Sequence, residues 1–499
     1  MKVKTICLIT VIWVCSFNTV LAQIRSDFVL VEAGNDPDIV VDEQGRLHAV
    51  WWNSSGTYYG LYDSLLEPIK APRLIDEDSG DDTVLDVRSD FVVVAWQAIP
   101  ATFNDLIFGR LLNPEADSIS SRLIFNDDYS DALRFEPDVA FMDDTTFVVL
   151  WAGEGFERPF SPGVYAQRTS TCLEFIGPNQ LLSDDRAREN DQFSPHIATH
   201  AESDQFVVVW GEAFSDSHNE LFGRLFSKNG VPKDSTFLIS VEPDTPFVRN
   251  TDVVMNGNGD FIAVWSSGRS VTGVSIYMRH FNAEGIPLGE CKQINEDLLV
   301  PTTEVAISID GSGCLVVVWE RKNSQGSNIV AQRFADDGSR IGNNFQVSAT
   351  VDTLRHLRPT VALKDGKIYT VWNTLKAANS INFILWANIL DFDNPAVGVE
   401  QQPEQAPVSF RLLQNYPNPF NPATTIRFEV AQQAQVQLAV YNILGEEIIT
   451  LVNEEVMPGS HDAVWDGKDD RGKDVSSGIY LYKLNIAGRT EIKKMILVR

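Results

Sequence analysis

The sequence predicts an all-β chain: a seven-bladed β-propeller of four-stranded blades, followed by a small immunoglobulin-like β-sandwich. Three observations predict it. An apolar phrase ending in Trp recurs seven times, that phrase is apolar on both strand faces, and a Pro- and Gln-rich stretch is followed by alternating segments. With 499 residues, 44% apolar and 10% aromatic, the chain has a globular composition and room for two or three domains.

The phrase runs Leu47 to Trp51, Phe91 to Trp96, Phe147 to Trp151, Phe206 to Trp210, Phe261 to Trp265, Leu315 to Trp319 and Ile368 to Trp372, and successive Trp residues stand 45 to 59 positions apart. Before it comes a short segment such as Pro137-Asp138-Val139-Ala140 or Pro359-Thr360-Val361-Ala362. After it come a third segment, such as Ile107 to Leu111, and a fourth, such as Phe345 to Ser348. Each repeat therefore supplies four short strands. A run such as Val207-Val208-Val209-Trp210 suits a strand covered on both faces, and sheets stacked about an axis supply that cover. The seventh repeat lacks its fourth segment. Ser26 to Val31 resembles that segment, so this stretch is expected to pair with residues 383–390 and cover the last sheet edge.

At the N-terminus, Lys2 and Lys4 precede an apolar run from Ile6 to Phe17 and then Val20-Leu21-Ala22. This predicts a secretory signal peptide over 1–22, cut before Gln23. No later apolar run approaches the ~20 residues of a membrane crossing, so no integral membrane segment is expected in the mature chain. Cys172, Cys291 and Cys314 are widely spaced and odd in number, which fits small apolar strand residues and no disulfide framework. The formal charge is −28, and from Phe410 onward 10 Lys and Arg face 11 Asp and Glu, so the acidity sits in the N-terminal four-fifths. Such a surface repels phosphates, excluding nucleic acid as a partner. The domain boundaries expected are 23–392 for the propeller, 393–408 for a linker, and 409–499 for the C-terminal domain.

In that last domain, segments Thr424 to Val430, Val436 to Tyr441, Glu447 to Val452, His461 to Trp465, Ile479 to Ile486 and Glu491 to Val498 alternate as strands. The residues Tyr416, Pro417, Asn418, Pro419 and Phe420, then Gly445, Trp465, Gly478, Tyr480 and Lys494, fall in phrases that resemble the C-terminal sorting domains of the type IX secretion pathway. They are similar also to the immunoglobulin-like domain of flagellar hook-capping proteins. The resemblance covers about Phe410 to Arg499. It implies recognition by the type IX machinery, passage across the outer membrane, and a cell-surface or extracellular destination. Read from the residues alone, the prolines fix an extended loop, Gly445 and Gly478 suit turns, and Trp465 and Tyr480 fill a core.

In the propeller, the loops leading into the first strand of each blade are rich in carboxylates. Asp76, Asp78, Asp127, Asp128, Asp184 and Asp185 are candidate ligands for calcium, a hard cation that takes carboxylate oxygens. A solvated acidic rim explains the same pattern. Asp81, Asp82, Asp131, Arg134, Arg188, Asp191, Arg249, Arg355 and Arg358 are candidate ligand-binding residues on the same face. A group of arginines there suits a carboxylated sugar, and local ion pairs suit them equally. No catalytic residue is singled out, since no nucleophile elbow, zinc-binding helix or phosphate-binding loop occurs. The expected function is a monomeric, exported binding protein for a glycan or protein. The alternative is a polysaccharide-acting hydrolase or lyase, because an acidic chain offers many carboxylate pairs.

Overall fold

The computed structural model describes residues 25–498 apart from 78–79, 99–105, 118, 127–133, 155–161, 184–189, 216–217, 242–247, 270–272, 297–301, 323–325, 349–354, 376–382, 394, 396–409, 414, 416, 419, 431–433, 443–446, 458 and 487–488. The signal segment and most of the expected linker lie outside the described residues. The chain divides into two compact units, 1–399 and 400–499.

The first unit consists of seven four-stranded antiparallel sheets, the sheets of a β-propeller. Their first strands are Asn35–Val41, Gly80–Arg88, Arg134–Phe141, Asp191–Thr199, Val248–Met255, Thr302–Ile309 and His356–Lys364. Each first strand packs on that of the next sheet, and His356–Lys364 packs on Asn35–Val41. The second strands carry the Trp phrase. All seven Trp side chains are buried, and clusters such as Val50 with Val92, Val94 and Trp96 join one sheet to its neighbour. Burying both faces of these β-branched strands stabilises by about 1.5–3 kcal/mol per large side chain.

In the seventh sheet, Arg25–Val31 lies antiparallel beside Phe383–Asp391, with Val29 opposite Trp386 and Val31 opposite Leu385. The chain's first described strand thus completes its last repeat. The three cysteines are free, but none lies in a strand. Cys172 is exposed in a turn between third and fourth strands, because the tight turn there places its side chain outward rather than in a sheet face. Among the described residues, no helix is long and apolar enough to cross a membrane.

The second unit has a three-stranded sheet of Phe410–Leu412, Thr424–Val430 and Gly459–Trp465. A four-stranded sheet orders Glu447–Val456, Ala434–Asn442, Gly478–Ile486 and Arg489–Leu497. Trp465, Tyr482, Phe420 and Phe428 belong to one core. The Tyr482 hydroxyl donates to the Leu413 carbonyl at 2.8 Å and accepts from the Asn415 amide at 2.9 Å, tying the proline-bearing loop to the sheet. Asn418 Oδ1 accepts the Ile496 amide at 2.9 Å.

Candidate functional site

Every first strand of the propeller breaks register once at the same place. The breaks fall between Asn35 and Asp38, Asp81 and Val84, Phe135 and Asp138, Phe193 and His196, Val248 and Thr251, Thr303 and Val305, and Leu357 and Thr360. A bulge of this kind re-aims a side chain and is common beside functional sites. The bulge residues are Asp36, Asp82, Glu136, Ser194, Asn250, Glu304 and Arg358. All but Asn250 have φ between +46° and +52°, a left-handed conformation that costs a non-glycine residue roughly 1–2 kcal/mol. Six such residues at equivalent positions are held there by the surrounding sheets, and strain of this kind gathers where side chains must be aimed.

These residues stand at one end of a cavity of about 730 Å³ lined by the first strands of all seven sheets. Bulge carboxylates bind the backbone of the next sheet. Glu136 Oε2 accepts the Ser194 amide at 2.5 Å, and Glu304 Oε2 accepts the Arg358 amide. One step deeper, Asp38, Asp86, Asp138 and Asp252 each accept an amide of the following first strand, from Leu85, Phe141, Ile197 and Ile307, at 2.7–2.9 Å. Those four are structural links between sheets.

Burial pushes Asp38 up to about 7 and both Asp86 and Asp252 to about 6, against the pull of their amide bonds. In the fourth sheet the position equivalent to Asp38, Asp138 and Asp252 holds His196, with Nδ1 3.4 Å from Asp138 and 3.9 Å from Asp252. Burial alone would lower this imidazole, but the two carboxylates overcome it and lift the group to about 9, so it is an imidazolium at neutral pH.

At the bulges, Arg358 Nη1 contacts Asp36 Oδ1 and lies 3.9 Å from Asp81 and 3.6 Å from Asp82. Asp36 is only 6% exposed, and its Oδ2 also accepts Trp52 Nε1 at 2.9 Å. Asp82 is raised to about 7 by burial and by the charges of Asp81 and Glu136. About a third of its side chain meets solvent. Burial and the nearby Glu320 carboxyl raise Glu304 to about 7. Glu320 itself is buried behind it, with Oε2 accepting the Thr303 hydroxyl and Oε1 without a hydrogen-bond partner. The mouth therefore combines a carboxylate in contact with a guanidinium and carboxyls that keep their protons to near neutrality.

Of the ligand-binding candidates read from the sequence, Asp81, Asp82 and Arg358 come together here. Asp191, Arg249 and Arg355 are exposed near strand starts. Arg134 is 2% exposed at the start of its strand rather than in a loop. Asp131 and Arg188 lie outside the described residues, as do Asp78, Asp127, Asp128, Asp184 and Asp185 among the calcium candidates. Asp76 belongs to a fourth strand, where Arg110 and Arg122 hold its carboxylate at 2.7 and 3.3 Å.

A different trio, Asp36, Asp81 and Asp82, places one oxygen of each within 4.8 Å of the others. Calcium takes six to eight oxygens, and Arg358 already puts a fixed positive charge against this trio, so the residues present do not fit a calcium site. Asp36, Glu136, Ser194 and Glu304 were not singled out by sequence. A signal for three of them existed, since Asp36, Glu136 and Ser194 each directly precede the proline of the recurring first-strand segment, as Arg358 does. His196, whose spacing to His200 carries no ligand signature, proves to line the cavity.

In the second unit, Pro417 and Asn418 are exposed, Phe420, Trp465 and Tyr480 are buried, Gly478 opens a strand, and Lys494 is exposed. Tyr416, Pro419 and Gly445 lie outside the described residues. Residues 418–489 match the FlgD Ig-like domain. Over these residues the C-terminal unit is similar to the immunoglobulin-like domain of flagellar hook-capping proteins.

No curated protein matches the chain in sequence. Among solved structures, the first unit is similar to a GH93 α-L-arabinofuranosidase of Fusarium graminearum. The TM-score is 0.47 at 10% identity, over 74% of this chain and 99% of that one. A Penicillium chrysogenum α-L-arabinanase gives 0.44 at 11%, over 74% and 99%, and a polysaccharide lyase gives 0.43 at 10%, over 71% and 90%. Similarity at this level has no bearing on what the present chain binds or turns over.

Proposed function

We propose that the first unit is a closed seven-bladed propeller that acts on a polysaccharide, with glycoside hydrolysis at the bulge end of its cavity. One observation carries this reading: Asp36, buried and held by Arg358 and Trp52, has an oxygen within 4.8 Å of Asp82, which retains its proton to about pH 7. Glycoside hydrolysis needs such a pair, an acid to protonate the leaving oxygen and an ionised partner on the sugar. The close spacing suits the retaining geometry of about 5–5.5 Å better than the wider inverting one. Asp82 is the acid and Asp36 the nucleophile, and Arg358 lowers the energy of the charged form of Asp36.

The test is release of reducing sugar from a panel of plant, algal and bacterial polysaccharides. Asp36→Asn and Asp82→Asn should each lower release by at least about a thousandfold while leaving folding intact, and product anomers should retain configuration by NMR. Full activity in both variants sinks the assignment.

A second reading, a surface protein that binds a glycan or protein without turnover, is favoured by a different observation. Among the described residues, no Phe, Tyr or Trp lines the cavity, whereas sugar faces usually stack on such rings. Retention of a polysaccharide with no product selects it. The C-terminal unit is proposed to direct export by the type IX route to the cell surface or medium. Its removal in the native host should leave the remainder of the chain inside the cell envelope.

A further inference from the structure

The residue that follows each Trp phrase stands beside the bulge of its own sheet. Trp52 pairs with Asn35, Glu320 with Thr303 and Asn373 with Leu357, and each of those partners directly precedes a bulge residue. In the fifth sheet Ser266 Oγ accepts the amide of the bulge residue Asn250 at 3.3 Å, and in the sixth Glu320 accepts the Thr303 hydroxyl. This position forms a layer behind the mouth, where Gln97, Ser266, Glu320 and Asn373 are all buried.

In the first sheet the layer is turned on Asp36. Trp52 Nε1 donates to Asp36 Oδ2 at 2.9 Å. Asn35 Nδ2 lies 3.4 Å from the same oxygen, and Asn35 Oδ1 accepts Asn373 Nδ2 from the seventh sheet at 2.5 Å, so the Asn35 amide cannot flip without losing that bond. The other oxygen, Oδ1, meets the Arg358 guanidinium. An indole and a guanidinium are donors only, and donors set on a carboxyl group favour its charged form. Asp36 is 6% exposed, which limits the water able to replace either donor.

We infer that Trp52, backed by Asn35 and Asn373, is a positioning residue that fixes Asp36 Oδ2, so that Oδ1 is the oxygen presented to the sugar. This rests on the hydrolysis reading and adds to it the residue that aims the nucleophile. In that step Oδ1 bonds to the anomeric carbon, the glycosidic C–O bond breaks, and its oxygen takes the Asp82 proton. A carboxylate free to rotate would offer either oxygen over a range of directions, and attack geometry tolerates little of that.

Trp52→Phe keeps the ring and removes the N–H. On a polysaccharide that the full chain degrades, it should lower kcat about ten- to a hundredfold with KM within about threefold. The acid limb of the pH–rate profile should move upward by about one unit or more, because the charged form of Asp36 loses a donor. The indole N–H spectrum of the full chain, carrying isotope-labelled tryptophan, tests the same contact without turnover. Asp36→Asn should shift one indole signal, the one missing from Trp52→Phe. Unchanged kcat and acid limb in Trp52→Phe, a rise in KM alone, or an indole spectrum identical in Asp36→Asn and the parent chain overturns the inference. If no polysaccharide is degraded, the hydrolysis reading falls and the indole shift still decides whether Trp52 holds Asp36. Turnover without that shift keeps the hydrolysis reading and loses the positioning.

Discussion

Asp42, His48 and Tyr59 form a polar chain inside the first sheet that a core of valines would not tolerate unless every member were paired. His48 Nε2 lies 3.1 Å from Asp42 Oδ2 and Nδ1 lies 2.7 Å from the Tyr59 hydroxyl, which donates to the Pro114 carbonyl at 2.6 Å. Burial lowers His48 in spite of Asp42, and with Nε2–H facing the carboxylate the single Tyr59 hydroxyl proton is shared between His48 Nδ1 and the Pro114 carbonyl. The hydrogen bonds from His48 and Arg46 overcome burial and hold Asp42 well below the usual carboxylate range. Pro114 belongs to the turn of the second sheet, so this chain fastens one sheet to the next. Tyr59→Phe strands the Pro114 carbonyl and the imidazole, and should lower unfolding free energy by about 1–3 kcal/mol. Urea denaturation of the full chain measures it, and an unchanged midpoint shows that solvent satisfies these groups.

Third strands of several sheets carry a glycine where an added Cβ would meet a neighbour too closely. A Cβ on Gly109 would meet the Phe125 ring at 2.4 Å and the Val94 carbonyl at 2.7 Å. The backbone contact cannot swing aside, so Gly109→Ala should cost about 1–3 kcal/mol. Gly289 has open space around its Cβ position, so Gly289→Ala should change stability by less than about 0.5 kcal/mol. Paired thermal melts of the two variants separate packing from any general intolerance of alanine. The same packing explains what was readable beforehand. Strands buried on both faces write long apolar runs, so the seven Trp phrases and their partners were legible from their spacing, and the pairing of residues 26–31 with 383–390 was legible from the likeness of Ser26 to Val31 to a fourth-strand segment, as the pairing of Arg25–Val31 with Phe383–Asp391 bears out. The site was only partly so. Asp81, Asp82 and Arg358 stood out as charges, but Asp36, Glu136 and Glu304 owe their aim to a one-residue bulge with left-handed φ, which periodicity does not reveal. Glu320 directly follows the Trp phrase of its repeat, and the sequence analysis did not single it out.

Across the whole molecule, many carboxyls share one sign of perturbation, and this fixes how stability depends on pH. Asp38, Asp82 and Glu304 titrate near 7 and Asp86 and Asp252 near 6, against about 3.8–4.5 in the unfolded chain. Between these values the folded state holds protons that the unfolded state has released, so stability falls as pH rises through the window from about 4 to 7. His196 acts in the same direction. Raised to about 9, it stabilises fully below 6.5, and that contribution is lost as pH climbs through 9. The opposite slope comes from Asp42, Asp143 and Asp144, which are lowered and lose their contribution only in acid below about 4. The melting temperature of the full chain should therefore peak near pH 4 and fall by at least about 5 °C by pH 9, since each pKa unit is worth roughly 1.4 kcal/mol and each kcal/mol about 2 °C at this size. His196→Gln should flatten the part of the fall between pH 7 and 9, while loss of the imidazolium raises Asp252 further. A melting temperature that is level from pH 5 to 9 means that water or ions in the cavity stabilise the ionised carboxylates, so that their titration no longer differs between the folded and unfolded chain.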